Sequence, residues 1–266
     1  MAHTSTKPKA LVLRAPGTNC DQETAQAWRL AGADADIHHF NRLLENPSML
    51  ADYRVLTFPG GFSYGDDLGA GRVWSARIHL KLADTIRDFV EKGGLVLGIC
   101  NGFQVLVASG LLPDGARAGM TPTASLSYNV SGQFEARWVD MAVAPGKCVF
   151  LQGIDRIAMP AAHGEGRFLT STPAELQALE SAGQVVLRYV DPATGKPTEA
   201  YPANPNGSPG AVAGVCDPTG RVFGLMPHPE RFTSPLHHPN WTRFPKDAPP
   251  SADGLKIFTN AVSALA

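Results

Sequence analysis

Cysteine is scarce and scattered in this chain of 266 residues: Cys20, Cys100, Cys148 and Cys216 share no CxxC spacing. That distribution suits neither a disulfide framework nor a structural zinc site, and it points to a reducing cytoplasm. Long apolar runs are also missing. No segment approaches the ~18 residues that span a bilayer, and the polar start from Met1 to Lys9 lacks the hydrophobic core of a signal peptide, so a short disordered tail over 1–8 is expected. Like charges form no run: 23 basic and 24 acidic residues leave a formal net charge of -1. Neither a nucleic-acid backbone nor an anionic membrane finds a matching surface in such a chain. Internal repeats and low-complexity tracts are absent as well.

What remains is a chain long enough for one large core. Ala10–Arg14 reads as a buried strand, broken by Ala15-Pro-Gly-Thr-Asn19, after which a helix is expected over Asp21–Leu30 with Asn19 as its cap. Strands at Asp34–Phe40, Tyr53–Phe58 and Leu95–Ile99, and one long amphipathic helix over Val73–Glu91, continue the alternation. This is an α/β pattern, with a mostly parallel sheet covered on both faces. Beyond Gly110 the chain turns β-rich, at 133–144, 147–151, 156–159, 184–190, 211–216 and 221–226, and these segments should add an antiparallel extension. Short helices are expected at 174–181 and 255–265. Residues 233–253, with five prolines in no periodic arrangement, read as an extended loop within the one domain, 9–266.

The segment Gly98-Ile-Cys-Asn-Gly102 lies between the strand Leu95–Ile99 and the helical run that starts at Phe103. A strand that reverses into a helix within a few residues forces its central residue into a strained conformation and needs small neighbours; this is a nucleophile elbow. A thiol there sits at a helix N-terminus, where the dipole favours the thiolate. The other three cysteines have no comparable turn and read as core or near-surface packing. A thiolate needs a base, and the base needs a group that fixes its tautomer. Met226-Pro-His-Pro-Glu230 follows a strand, and two residues along extended chain return to one face, so His228 and Glu230 should point together. His163 is the rival base. Pro59-Gly-Gly-Phe-Ser-Tyr-Gly-Asp66 either presents backbone N–H groups to an oxyanion or is an ordinary glycine turn.

Together, Gly98–Gln104, Pro227–Glu230 and Pro59-Gly60-Gly61 resemble the class I glutamine amidotransferase family. Within it, 59–66, Ala162-His-Gly-Glu-Gly-Arg-Phe168, Asn204-Pro-Asn-Gly-Ser208 and 224–231 are similar to the glutaminase components of phosphoribosylformylglycinamidine synthases. The resemblance implies a flavodoxin-like doubly wound sheet and a Cys100-His228-Glu230 triad that hydrolyses glutamine. It also implies N–H donors at Gly61 and Asn101, and substrate contacts from Gln104 and Phe134. His163 and Glu165 would lie on a loop near a partner interface, or form a surface turn. The implied partner is a synthetase subunit, with room for a small accessory subunit. The chain has no ATP-grasp or P-loop signature, so ATP and Mg would be used by that partner, with no cofactor or metal here. Two other readings share the elbow or the fold: a glutaminase serving another synthetase or a γ-glutamyl hydrolase, and a non-catalytic redox-sensing protein.

Overall fold

The computed structural model describes residues 7–115, 121–245, 247 and 251–266. Most of the tail expected over 1–8 therefore lies outside the described residues. The first half alternates strand and helix: β1 (Lys9–Arg14), α1 (Asp21–Leu30), β2 (Asp34–His39), α2 (Phe40–Glu45), β3 (Val55–Phe58), α3 (Arg72–Lys81), α4 (Ala83–Glu91), β4 (Leu95–Ile99) and α5 (Asn101–Ala108). The second half contributes β5 (Ala124–Tyr128), β6 (Glu135–Val143), β7 (Arg156–His163), β8 (Glu165–Thr170), α6 (Pro173–Ser181), β9 (Val185–Tyr189), β10 (Val212–Cys216), β11 (Val222–Leu225) and α7 (Asp253–Ser263).

Nine strands form one sheet in the order β2-β1-β3-β4-β11-β10-β9-β6-β7. The first five run parallel, in the flavodoxin-like order, and the remainder pair antiparallel. Sequence explains the division. Every residue of β3, β4 and β11 is buried, as strands covered by helices on both faces require; β6 and β7 instead alternate buried and partly exposed positions. Helices α1 and α7 pack together through Trp28 against Phe258, with centroids 4.9 Å apart. Trp74 of α3 lies edge-on to Phe40 and Phe58.

The long helix expected over 73–91 is two helices that meet at Leu82. Trp74, Ile78, Leu82, Ile86 and Val90 are all buried at four-residue spacing. Each such step drifts about 40° round a 3.6-residue helix, so a single straight axis would carry the ends of the row out of the core. The strand expected at 147–151 is instead a 3-10 turn, Val149–Leu151. Asn260 of α7 donates to the carbonyls of Phe150 at 3.0 Å and Gln152 at 2.8 Å, replacing a strand neighbour. Strands β5 and β8, which pair into a separate two-stranded sheet, were not expected. Residues 233–245 contain 3-10 turns at Pro235–His237 and Trp241–Arg243, anchored where His238 meets the rings of Trp138, Phe232 and Phe244.

Candidate active site

The carboxyl ends of β3, β4 and β11 are adjacent, with Phe58 opposite Gly98 and Ile99 opposite Leu225. Cys100 follows β4 at φ 52° and ψ -107°. A non-glycine residue there carries strain on the order of 1–3 kcal/mol, which surrounding packing must hold. The packing is tight. A Cβ on Gly102 would come 1.8 Å from the carbonyl oxygen of Phe58, and one on Gly98 would come 2.7 Å from the carbonyl oxygen of Gly102. The Cys100 N–H donates to Leu225 O at 2.8 Å, so β11 carries the elbow, and the thiol donates to Ala162 O at 3.6 Å.

His228 leaves β11 through Pro227 and is tied to the end of β7 by its N–H, which donates to Pro160 O at 2.8 Å. Its Nδ1 lies 2.6 Å from Glu230 Oε1. The two side chains meet through the 3-10 turn Pro229–Arg231 rather than along the extended chain the sequence suggested; a turn closes the distance that extended backbone would leave at ~7 Å. Both side chains are buried, at 2% and 0% exposure. An ionised carboxylate only accepts hydrogen bonds, so Nδ1 carries the proton and Nε2 is the open nitrogen. Nε2 is buried and makes no hydrogen bond. Burial opposes charge on this ring. The charge of Glu230, followed by that of Cys100, overcomes that and raises the His228 pKa well above its ordinary value.

Gly61 follows β3 at φ 147°, and a Cβ there would come 2.8 Å from Asn19 N and Thr18 Cα. Asn101 opens α5, where the backbone N–H has no acceptor within the helix. Its side chain accepts from Ser63 N–H at 3.2 Å and donates to Asp66 Oδ1 at 3.2 Å and Gln104 Oε1 at 2.9 Å. Asn101 thereby ties the elbow to a loop in which Tyr64 and Asp66 adopt φ of 56° and 54°. Gln104 in turn donates to the backbone carbonyl of Glu165. Burial, then the charge of Glu165, raises the Asp66 pKa to about 6. Phe134 is 53% exposed, its ring 6.2 Å from that of Phe62.

His163 is not on a surface loop. It ends β7, is 2% exposed, and its Nδ1 lies 3.1 Å from Asn129 Oδ1; alternation along β7 turns it inward. Glu165 opens β8 and is partly exposed. The expected cap of α1 also differs: Cys20 occupies that position, and Asn19 Oδ1 accepts the Cys20 thiol at 3.1 Å. Cys20 itself, read from sequence as core or near-surface packing, lies 3.9 Å from His228 Nδ1. The signal was present in its position just past β1, beside the β1–β3 switch point of the sheet, where open α/β folds place their sites. Cys20, His228 and Glu230 hold potential ligand atoms within 4.8 Å of one another, of which Cys20 Sγ, His228 Nδ1 and Glu230 Oε1 are engaged in hydrogen bonds with each other and with Arg231. Among the described residues no helix is long and apolar enough to cross a membrane.

Residues 7–263 match the CobB/CobQ-like glutamine amidotransferase domain family. The chain is 51% identical, over 96% of its length and 97% of the relative's, to phosphoribosylformylglycinamidine synthase subunit PurQ of Dehalococcoides mccartyi. It is 38% identical to the human phosphoribosylformylglycinamidine synthase, with 96% of the chain aligned to 20% of that protein. Its fold is similar to a chain in the structure of PurLQS from Thermotoga maritima, with a TM-score of 0.73 and 33% identity over 98% of this chain and 100% of that one.

Proposed function

The chain belongs to the CobB/CobQ-like glutamine amidotransferase family, and from that membership we propose that Cys100, His228 and Glu230 are its catalytic triad. The chain acts as the glutaminase subunit of phosphoribosylformylglycinamidine synthase, in purine biosynthesis and within a multi-subunit complex. The observation that supports the triad is the strained Cys100 at the end of β4 beside the His228–Glu230 pair at the end of β11.

Cys100 Sγ, as the thiolate beside the His228 imidazolium, attacks the side-chain amide carbon of glutamine. A C–S bond forms, and the amide oxygen takes up the charge, met by the N–H groups of Gly61 and Asn101. His228 Nε2 gives its proton to the departing nitrogen; ammonia leaves and a γ-glutamyl thioester remains. The neutral imidazole then takes a proton from water, whose oxygen attacks the thioester carbon. The C–S bond breaks, glutamate departs, and the thiolate–imidazolium pair is restored. Glu230 keeps the proton on Nδ1 throughout. Gln104 and Phe134 contact the substrate.

Ammonia released into bulk water would be lost, so the synthetase subunit, which uses ATP and Mg, docks over the cleft. Exposed Phe62, Leu68 and Phe134 flank the loop that carries Gly61 and suit such a contact. Glu165 lies at this edge, and a small accessory subunit joins the assembly. Four buried free thiols fit a reducing cytoplasm. Cys100→Ala in the assembled complex tests the reading: glutamine-dependent synthesis should fall by about three orders of magnitude or more, with ammonia-dependent synthesis retained. Loss of both in a folded complex would contradict it.

A further inference from the structure

The thiol of Cys20 lies against the Nδ1 side of the His228 imidazole. Its sulfur is 3.9 Å from Nδ1, accepts an N–H of Arg231 at 3.0 Å, and donates its own proton to Asn19 Oδ1 at 3.1 Å. The backbone is equally constrained: Cys20 N–H donates to Gly60 O at 3.2 Å, and Cys20 O accepts from Thr24 N–H at 3.1 Å. Arg231 is drawn toward the same helix by Glu23, 3.6 Å from its Nε. Gly60 closes the arrangement, since a Cβ there would meet His228 Cε1 at 2.8 Å and Cys20 Sγ at 3.1 Å.

Resting on the triad proposed above, we infer that Cys20 is a positioning residue for His228, its sulfur forming a fixed wall and second acceptor behind Nδ1 that keeps Nε2 turned toward Cys100. A single hydrogen bond to Glu230 fixes one atom of the ring and leaves it free to swing about that contact. A wide, polarizable sulfur held by Asn19 and Arg231 removes the swing. The titratable groups around the imidazole are Glu230, Cys100, Cys20 and His163, with Arg231 acting through Cys20. Burial raises the Cys20 thiol pKa, so the sulfur stays protonated, as donation to Asn19 requires, and does not compete as a nucleophile.

The test is the rate of Cys100 alkylation by iodoacetamide in the full chain, resolved by peptide mass spectrometry from about pH 5 to about pH 9. Wild type should react at lower pH than His228→Gln. Cys20→Ala should move the profile about one pH unit toward that of His228→Gln, roughly a tenfold slower reaction on the rising limb, and Cys20→Ser should recover most of the shift. In the assembled complex Cys20→Ala should lower kcat and leave KM for glutamine unchanged. If Cys20→Ala fails to fold, Arg231→Gln, which frees the sulfur, should shift the profile in the same direction. Superposition of the Cys20→Ala and wild-type profiles, with His228→Gln displaced, would overturn the role of Cys20 alone. Superposition of all the profiles would overturn the Cys100–His228 pairing as well.

Discussion

His228 gives its Nδ1 to Glu230 at 2.6 Å while its backbone N–H is held by Pro160 at 2.8 Å, so one ring nitrogen is fixed and the other is left for chemistry. Strand β11 also supports the Cys100 N–H through Leu225. The proposed nucleophile and base thus follow one pair of hydrogen-bonded strands, so sheet register brings them to the same edge.

Glu230→Gln is expected to lower glutamine-dependent kcat by about 10³–10⁴. The amide N–H would donate to Nδ1 and drive the proton to Nε2, the wrong tautomer for a base facing Cys100. Ammonia-dependent synthesis in the same complex serves as the folding control and should be retained. Near-normal glutamine turnover would show that Glu230 does not orient the ring.

Gly60→Ala places a methyl group 2.8 Å from His228 Cε1 and 3.1 Å from Cys20 Sγ. The ring must shift by several tenths of an ångström, and a displacement approaching 1 Å costs about 10² in rate. Steady-state kinetics should show that loss mainly in kcat, with the far-UV spectrum unchanged. Unaltered kcat would mean the ring tolerates displacement.

Two neighbouring histidines should respond to pH in opposite senses. Burial, then the charge of His228, lowers the His163 pKa to about 4, whereas burial of His228 is outweighed by Glu230 and Cys100 and its pKa rises. An unfolded histidine binds its proton near pH ~6.5. Native His163 refuses that proton until about pH 4, so its contribution is intact above about pH 6.5 and is lost as pH falls through this window, a change of about 3 kcal/mol. The His228 contribution is complete below about pH 6.5 and is lost only as pH rises through its folded value. Urea unfolding at about pH 7 and about pH 4.5 should therefore show a smaller acid loss in His163→Gln than in wild type. An identical acid loss in the two proteins would contradict the assignment.

Most of the parallel half of the sheet was legible because β1, β3, β4 and β11 carry apolar runs, and the elbow because glycines flank a cysteine at the end of Leu95–Ile99 and the start of a helical run. Helix α1 took the expected bounds, Asp21–Leu30. Strands β5 and β8 were not legible: Ser-Leu-Ser and Arg-Phe-Leu are short, mixed stretches that become strands by pairing with each other. The break at Leu82 was hidden because the apolar spacing runs through it unchanged. Cys20 was missed because its partner His228 lies 208 positions away, a contact that only the sheet order creates. His163, which the resemblance implied would lie on a loop near a partner interface or in a surface turn, instead ends β7, because the chain reverses between β7 and β8 and leaves the histidine inside.

Turnover through Cys100 requires a covalent bond from its sulfur to the glutamyl group. Glutamine is added to the complete complex, turnover is quenched in acid, and the peptides of this chain are sequenced by mass spectrometry. A γ-glutamyl adduct is expected on Cys100, accumulating when thioester hydrolysis is slowed and absent from Cys100→Ala. A glutamyl adduct on Cys20 or any other residue, or steady glutamate release by Cys100→Ala, would contradict it.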